Sequence, residues 1–253
     1  MLPAAPNFRL DGRRALVTGA SRGIGKATAV ALARAGAAVT LVARSEPDLR
    51  QVCEDISSIG GRCEYLVLDV TDSRAVTEHL SGLAPFQVLV NSAGMNRPKQ
   101  MVDVPDEDID AILDLNVKAA YYVTRLVTRG LLAARLPGSI INVSSQMGHV
   151  GSPGRTLYCA SKHAIEGMSK ALAWEVGHAN IRVNTICPTF IETDMTARML
   201  EETGFRNWVT GNVALGRLGR VDEIMGAVIF LASDASSLMT GSALMLDGGW
   251  TAS

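Results

Sequence analysis

The sequence has no long hydrophobic run. None of its 253 residues lies in a stretch that approaches the roughly 18 apolar residues needed by a membrane-spanning helix. Residues 1–12 contain two prolines and lack the apolar run that is typical of a signal peptide. These absences predict a soluble, cytoplasmic protein with no membrane partner.

Charge of one sign is also scarce. The chain carries 24 lysines and arginines against 25 aspartates and glutamates, a formal net charge of −1, without a block of either sign. This balance gives no electrostatic reason to expect nucleic acid or an anionic membrane as a partner. The apolar fraction of 47% and the charged fraction of 19% are typical of a well-packed globular enzyme and argue against disorder.

Cysteines are few, and their spacing does not indicate a metal. They form no C-x-x-C pair and do not stand at zinc-ligand spacing with histidines, so we expect reduced thiols and no metal site. Internal repeats, low-complexity tracts and Pro/Gly/Ser linkers are also missing, which predicts that residues 1–253 form one domain. The cysteines are Cys53, Cys63, Cys159 and Cys187.

What the chain does contain is a regular alternation of short apolar runs and helical stretches. This rhythm predicts an α/β fold with a single doubly wound parallel sheet and helices on both of its faces. The predicted strands are 13–19, 38–43, 62–69, 86–90, 138–144, 181–187 and 242–246. The predicted helices are 27–35, 46–59, one capped by Asp72, 105–130, 156–177 and 221–233, and residues 193–212 are expected to form a substrate lid.

A glycine-rich segment separates the first predicted strand from the first helix. Gly19, Gly23 and Gly25 form the pattern G-x-x-x-G-x-G. Glycine lets the backbone approach a pyrophosphate, and free N–H groups at a helix start bind its charge, so the segment predicts a dinucleotide site. Arg44 follows the second strand, where an NAD site usually carries an acid, and Arg22 lies within the turn. NADP(H) is therefore preferred, while NAD(H) stays possible.

Tyr158 and Lys162 are spaced i,i+4 on a predicted helix. Residues at this spacing share a helix face, so the phenol and the ammonium are predicted to be neighbours. A nearby positive charge favours the phenolate and lowers the pKa of a tyrosine below its usual value of about 10. Tyr158 is therefore a candidate acid/base catalyst, although such pairs also occur by chance on many helices.

Several motifs taken together resemble the short-chain dehydrogenase/reductase family. They are TGASRGIG at 18–25, NSAG at 91–94, Asn116, Ser145, Tyr158 with Lys162, and GSALMLDGG at 241–249. Their order and spacing extend the resemblance over nearly the whole chain. The resemblance implies a seven-stranded Rossmann-type domain, NAD(P) binding, metal-free hydride transfer between an alcohol and a carbonyl, and a homotetramer or homodimer.

The resemblance also implies a role for each matching position. Tyr158 would be the acid/base, and Lys162 would lower its pKa and bind the nicotinamide ribose. Ser145, rather than Ser144, would hydrogen-bond the substrate oxygen, and Asn116 would hold a relay water. The implied cofactor-binding residues are Gly19, Ser21, Arg22, Gly23, Ile24, Gly25, Arg44, Asp69, Val70, Asn91, Ala93, Gly94, Tyr158, Lys162, Pro188, Ile191 and Thr193.

The substrate is defined less sharply. Thr189 stands where the family commonly has glycine and adds a Cβ and a hydroxyl near the nicotinamide. The favoured interpretation is an NADPH-dependent enzyme that reduces a ketone to a secondary alcohol, similar to β-ketoacyl and broad carbonyl reductases. A sugar-acid or polyol dehydrogenase is the alternative, and a non-catalytic NADP-sensing regulator is a third hypothesis. The candidate substrate contacts are Gln146, Met147, His149, Val150, Arg155 and the expected lid.

Overall fold

A seven-stranded, wholly parallel sheet forms the centre of the computed structural model, which describes residues 5–252. The strand order is β3-β2-β1-β4-β5-β6-β7, and the predicted fold class is confirmed. The strands are β1 (Arg14–Thr18), β2 (Ala38–Ala43), β3 (Arg62–Val67), β4 (Val88–Asn91), β5 (Gly138–Val143), β6 (Ile181–Pro188) and β7 (Ala243–Leu246).

Helices cover both faces of this sheet. Helices α1, α2 and α9 pack on one face, and α3, α5 and α6 pack on the other. Within residues 5–252, no helix combines the length and the apolar character required to cross a bilayer. The helices are α1 (Gly23–Arg34), α2 (Glu46–Ser58), α3 (Ser73–Leu80), α4 (Asp106–Leu113), α5 (Ala119–Ala134), α6 (Thr156–Val176), α7 (Asp194–Leu200), α8 (Thr203–Gly211) and α9 (Asp222–Ala232).

The five inner strands are buried on both sides because one apolar core covers each face of the sheet; they are β1, β2, β4, β5 and β6. Successive side chains of a strand point to opposite faces, so Val17 and Ile141 belong to one core while Leu16 and Ile140 belong to the other. This double burial explains why the strands read in the sequence as continuous apolar runs rather than as alternating ones.

The order of the strands reverses between β1 and β4. From β1 the chain builds outward through β2 and β3, and it then returns to place β4 on the other side of β1. The loops that follow β1 and β4 therefore run in opposite directions and leave a crevice at the carboxyl edge of the sheet. Ligands of open α/β sheets bind in this position.

Two helix boundaries differ from those predicted. Helix α1 begins at Gly23 rather than at residue 27, because the glycine turn itself forms the first helical turn. The helical stretch predicted over 105–130 is confirmed, but it continues to Ala134 and contains a π-helical turn at Asp114–Lys118 between α4 and α5. Asp72 is confirmed as the cap of α3, accepting hydrogen bonds from the backbone N–H groups of Arg74 and Ala75.

Hydrogen bonds connect the loops after β1 and β4 across the crevice. The Thr18 hydroxyl accepts hydrogen bonds from the backbone N–H groups of Ser92 (3.1 Å) and Ala93 (3.2 Å). Gly19 has a φ of +66°, and a Cβ placed on it would lie 2.8 Å from Ala93 Cα. Only glycine fits there, which makes the approach of the two loops a property of the backbone itself.

Replacing Thr18 with valine tests this fastening. The isosteric change leaves two backbone N–H groups without an acceptor, and we expect a loss of roughly 2 kcal/mol in the free energy of unfolding, measured by urea denaturation. Thr40→Val is the matched control, because Thr40 is equally buried, at 2% exposure, but donates only to the exposed carboxylate of Glu64. Equal losses in the two variants would contradict the fastening role of Thr18.

Candidate active site

A cleft of about 450 Å³ lies along the carboxyl edge of the sheet. The glycine turn, the ends of β2 and β3 and the loop after β4 line one half of it. The end of β5, the first turns of α6, the end of β6 and α7 line the other half. All of the predicted cofactor-binding residues except Asn91 line this cleft, which brings together segments that lie far apart in the sequence.

The glycine turn shapes one wall of the cleft. Gly23, the first residue of α1, has a φ of +53° and contributes to the lining. A Cβ on Gly25 would overlap the carbonyl oxygen of Gly19, so the helix and the turn can pack this closely only without a side chain. The first turn of α1 contains no acidic residue, and its N–H groups are therefore available to a negatively charged phosphate.

Arg44 stands at the mouth of the cleft beside Asp69. Its side chain is 76% exposed, and its Nη1 lies 3.9 Å from Asp69 Oδ2. Burial raises the pKa of Asp69, but hydrogen bonds from Thr71 and the charge of Arg44 outweigh that effect and leave the pKa below its ordinary value. Ser45 and Asp48, at the start of α2, also line this end of the cleft. Sequence reasoning missed both, although they directly follow the Arg44 position.

Lys162 lies at the opposite end of the cleft. The residue is 5% exposed, its Nζ donates a hydrogen bond of 2.8 Å to the carbonyl of Val143 at the end of β5, and it lies 5.5 Å from the ring centroid of Tyr158. Burial lowers the pKa of Lys162 to about 8, against the opposing influence of Cys187 and Glu166. The predicted proximity of the phenol and the ammonium is therefore present in the structure.

The pKa of Tyr158 differs in direction from the sequence-based prediction. Burial raises it to about 12, although a hydrogen bond with Ser145 and the charge of Arg155 act to lower it. Lys162 does not reverse the effect because its ammonium is directed to Val143 and lies over the ring rather than at the hydroxyl. At neutral pH the Tyr158 phenol is consequently protonated, the form that donates a proton.

Ser145 is the serine that meets Tyr158. Its hydroxyl also donates to Gln146 Oε1 at 2.8 Å and accepts from the backbone N–H of Met147 at 3.1 Å. Ser144 reaches the cleft lining too, but its hydroxyl acts on the Cys187 thiol, whose pKa it lowers against the effect of burial. The preference for Ser145 over Ser144, made on spacing, agrees with this arrangement.

Asn116 lies behind the cleft, in the π-helical turn. Its Oδ1 accepts from the backbone N–H of Met95 (2.8 Å), and its Nδ2 donates to the Met95 carbonyl (2.9 Å) and to Ser161 Oγ (3.0 Å). Both amide hydrogens are thus committed to fixing the loop after β4 to helix α6. A Cβ on Gly94 would lie 3.3 Å from Asn116 Oδ1 and 3.8 Å from Lys162 Nζ, so these three residues meet. The predicted relay water stays a prediction.

The Asn91 side chain does not reach the cleft, contrary to the predicted cofactor contact. Strand β4 turns it into the protein, where Nδ2 donates to Thr124 Oγ1 and to Asn142 Oδ1, both at 2.8 Å. Asn142 in turn donates to Ser169 Oγ at 2.8 Å. This buried chain of polar groups joins β4 and β5 to α5 and α6, and the role of the Asn91 side chain here is structural.

Three of the predicted substrate contacts, Gln146, Met147 and Arg155, line the cleft, whereas His149 and Val150 do not. His149 turns away, with its Nε2 3.4 Å from both Glu166 Oε1 and Cys187 Sγ. Burial raises the pKa of the Cys187 thiol to about 12, so it stays protonated and donates to Glu166. His149, Glu166 and Cys187 thus form a hydrogen-bonded cluster behind Lys162, and His149 is not a substrate contact.

The predicted lid consists of the two helices α7 and α8. Thr193 caps α7 in a capping box with Thr196. The cleft lining includes Met195, Thr196 and Met199 from this segment. Phe190 of the lining packs against Phe205 of α8 and against Trp250, with ring centroids 5.6 Å and 5.9 Å apart. Sequence reasoning missed Phe190 and Trp250, whose contact depends on the chain terminus folding back.

Comparison with known proteins places this geometry in a family. A family model described as "Enoyl-(Acyl carrier protein) reductase" matches residues 19–251. The chain belongs to the short-chain dehydrogenase/reductase family. It is 38% identical to the D-erythrulose reductase of Gallus gallus over 248 residues, which cover 98% of this chain and 99% of that protein.

Two further relatives indicate the range of this similarity. The chain is 39% identical over 246 residues to the 3-oxoacyl-[acyl-carrier-protein] reductase FabG of Thermotoga maritima, with 96% of this chain and 99% of that protein covered. The crystal structure of a gluconate 5-dehydrogenase from Burkholderia cenocepacia, in complex with NADP and tartrate, matches with a TM-score of 0.92 at 33% identity, covering 97% of this chain and 98% of that one.

The lowered pKa of Lys162 predicts a dependence of stability on pH. Between about pH 8 and 10.5 the unfolded chain binds a proton at Lys162 that the folded protein does not, so this residue makes the free energy of unfolding rise with pH. From about pH 7 to about pH 9.5 the contribution is roughly 2 kcal/mol. We expect Lys162→Met to lose this contribution in urea denaturation at the two pH values.

Lys170→Met is the control, because Lys170 lies on the same helix but is exposed. The raised pKa of the Cys187 thiol adds a slope of the opposite sign in every variant, so the difference between variants isolates Lys162. The same pH dependence in Lys162→Met and in Lys170→Met would contradict the lowered pKa.

Proposed function

We propose that the protein is an NADPH-dependent oxidoreductase that reduces a ketone to a secondary alcohol, with Tyr158 as the acid/base. One observation carries the proposal: the Tyr158 phenol, in contact with Ser145 and beside the buried Lys162, lies in the same cleft as the glycine turn and Arg44. A non-catalytic NADP-sensing regulator would have no need for this complete set of groups.

The cleft fits NADP(H). The glycine turn and the first N–H groups of α1 would hold the pyrophosphate, and Arg22 and Arg44 would hold the 2′-phosphate of the adenosine ribose. Arg44 is paired only loosely, at 3.9 Å from Asp69, and so remains available to a phosphate. The B. cenocepacia relative contains NADP. When bound, the reduced nicotinamide supplies the hydride for the carbonyl carbon.

The chain's own residues handle the proton and the substrate oxygen. Tyr158 is protonated at neutral pH and transfers its proton to the carbonyl oxygen as that oxygen gains negative charge. Ser145 donates a hydrogen bond to the same oxygen. Solvent then returns a proton to the phenolate left on Tyr158, and Asn116 holds the loop after β4 against helix α6.

Oxidation of a sugar acid or a polyol is the second candidate, because the same residues serve the reverse reaction. The polar side chains of Gln146 and Arg155 at the substrate end of the cleft favour it. The B. cenocepacia relative in complex with tartrate, a hydroxy acid, points in the same direction. Turnover of acetoacetyl thioesters compared with that of gluconate or a polyol distinguishes the two candidates.

We extend the proposal to assembly, lid and compartment. Helices α5 and α6 expose large apolar side chains, including Tyr121, Leu132 and the 91%-exposed Trp174, which supports a homodimer or homotetramer formed through these helices.

Helices α7 and α8 would close over the substrate as a lid. The cysteines are free thiols, which supports a cytoplasmic location.

Replacing Tyr158 with phenylalanine tests the acid/base role. We expect kcat for ketone reduction to fall by about 10²- to 10⁴-fold, because general acid catalysis contributes on that scale, while the NADPH dissociation constant changes little. NADPH oxidation is followed by absorbance and NADPH binding by fluorescence. Tyr65→Phe, on β3 and outside the cleft, serves as the control. An unchanged kcat in Tyr158→Phe rules out the assignment.

Removing the Arg44 charge tests the cofactor preference. Arg44→Ala is expected to lower kcat/KM for NADPH by about 10- to 100-fold, the loss typical of one charge-assisted phosphate contact, without lowering kcat/KM for NADH. Arg50→Ala is the matched control, since Arg50 pairs with Glu46 on α2 and does not line the cleft. A higher kcat/KM of the wild-type protein for NADH than for NADPH would contradict the proposed preference for NADP(H).

A further inference from the structure

Arg155 is a buried arginine at the substrate end of the cleft. It precedes the first turn of α6, three residues before Tyr158, and its backbone carbonyl accepts a hydrogen bond of 2.8 Å from Cys159. The residue is only 6% exposed. It lines both the main cleft and an adjoining recess formed with Pro98, Lys99, Pro153 and Phe205. The guanidinium therefore stands at the junction of two spaces open to a ligand.

The guanidinium has almost no polar partners. Its Nη2 lies 3.6 Å from the Met199 sulfur, a weak acceptor, and its central carbon lies 5.7 Å from the ring centroid of Phe205. Within residues 5–252 no carboxylate lies within the 4.0 Å of an ion pair with it. Burial lowers the pKa of Arg155, but an arginine side chain keeps its charge in proteins. A buried cation with so few acceptors is costly unless a counter-charge arrives.

A second arginine of this chain, Arg182, provides a comparison, because its buried guanidinium has a full set of hydrogen-bond acceptors. Arg182 on β6 is also partly buried, and burial lowers its pKa as well. Its guanidinium donates to the carbonyls of Leu231 and Ser233 and to the hydroxyl of Ser236, at 2.7 to 3.0 Å. Arg182 is thus satisfied by the fold, whereas Arg155 presents unused donors to the cleft.

The two acidic residues beside the recess, Asp108 and Glu202, do not pair with Arg155. Asp108 accepts from Lys99 at 2.8 Å and from Arg97 at 2.6 Å, so it neutralises the other cation of the recess. Glu202 also lines the recess, but its carboxylate is not within ion-pair distance of Arg155 and lies against Gly204 at the start of α8. Arg155 therefore has no carboxylate partner within residues 5–252 and faces a cleft in which a ligand can supply one.

The geometry points to Arg155 as the binding site for a carboxylate of the substrate, which makes the substrate a short oxo acid or the matching hydroxy acid. This inference rests on the proposed function, because it places the carbonyl at Tyr158. The Arg155 and Tyr158 side chains line the same cleft, and the charge of Arg155 acts on the Tyr158 phenol, so a short substrate can place its carboxylate at Arg155 and its carbonyl at Tyr158. The planar guanidinium can hold a carboxylate with two parallel hydrogen bonds.

The test compares oxo acids with neutral partners of the same shape. With NADPH, acetoacetate is paired with methyl acetoacetate and ketogluconate with its amide, and acetonyl phosphate represents a phosphate instead of a carboxylate. We expect the wild-type protein to favour at least one acid over its neutral partner by about 10- to 100-fold in kcat/KM. Arg155→Met should remove that preference by raising KM for the acid alone, and Arg155→Lys should restore part of it.

Two control variants separate the competing explanations. Arg34→Met, which changes an exposed arginine on α1 outside the cleft, should leave all rates unchanged. Glu202→Gln should leave the ratio of acid to neutral substrate unchanged, whereas a change equal to that of Arg155→Met would mean that Arg155 serves a contact with Glu202 in the lid. Calorimetric titration with malonate and NADP⁺ gives a readout without turnover, in which binding by the wild type and its loss in Arg155→Met are expected.

The outcomes distinguish this inference from the proposed function. Three results would overturn the inference and leave ketone reduction intact. The first is equal kcat/KM for acids and their neutral partners, and the second is an equal loss of kcat/KM for both in Arg155→Met. The third is malonate binding that survives Arg155→Met. Preference for acetonyl phosphate over every carboxylate would overturn the carboxylate assignment. If no ketone of either kind oxidises NADPH, the proposed function fails, and malonate binding still decides on Arg155.

Discussion

Two buried cations flank Tyr158: Arg155 directly before helix α6 and Lys162 within it, and neither is paired with a carboxylate of the described chain. Burying unpaired charge is unfavourable, and the lowered pKa values of both groups are the direct sign of that cost. The two apolar cores on either face of the sheet have to offset it. The rest of the site holds Lys162 close to Tyr158, where negative charge develops in the reaction, and Arg155 where an anionic substrate group is proposed to bind.

The sheet supplies the rigidity that this arrangement needs. Lys162 is anchored on the carbonyl of Val143 at the end of β5, and Asn116 joins α6 to the loop after β4. Thr18 then fastens that loop to the end of β1. The positions of the catalytic groups are thus set by backbone atoms at the carboxyl ends of three adjacent strands, β1, β4 and β5, where the strand order reverses. Because its anchor is a strand end, the Lys162 ammonium cannot easily move out of the cleft toward water.

The two halves of the cleft are built on different principles. The cofactor half is formed largely by the glycine turn and the loop after β4, whose requirements are local, with Arg22 and Arg44 added to it. The substrate half is formed by side chains such as Arg155, Phe190 and Met199, and Phe205 and Trp250 pack behind Phe190. Its shape depends on contacts between distant segments, so small changes there alter the substrate without disturbing the chemistry.

The sequence by itself determined the parallel sheet, the glycine turn and the Tyr158–Lys162 pair, because each follows from local periodicity or from spacing along one element. The choice of Ser145 came from the resemblance of its position to that of the family. Only the tertiary structure decided where Asn91 and His149 point, the π-helical turn around Asn116 and the direction of the Tyr158 pKa shift. It likewise decided that Arg155 lacks a counter-charge. These properties depend on burial and on partners that the fold brings from remote positions, such as Asn142, Glu166 and Met95, and no spacing along the chain records them.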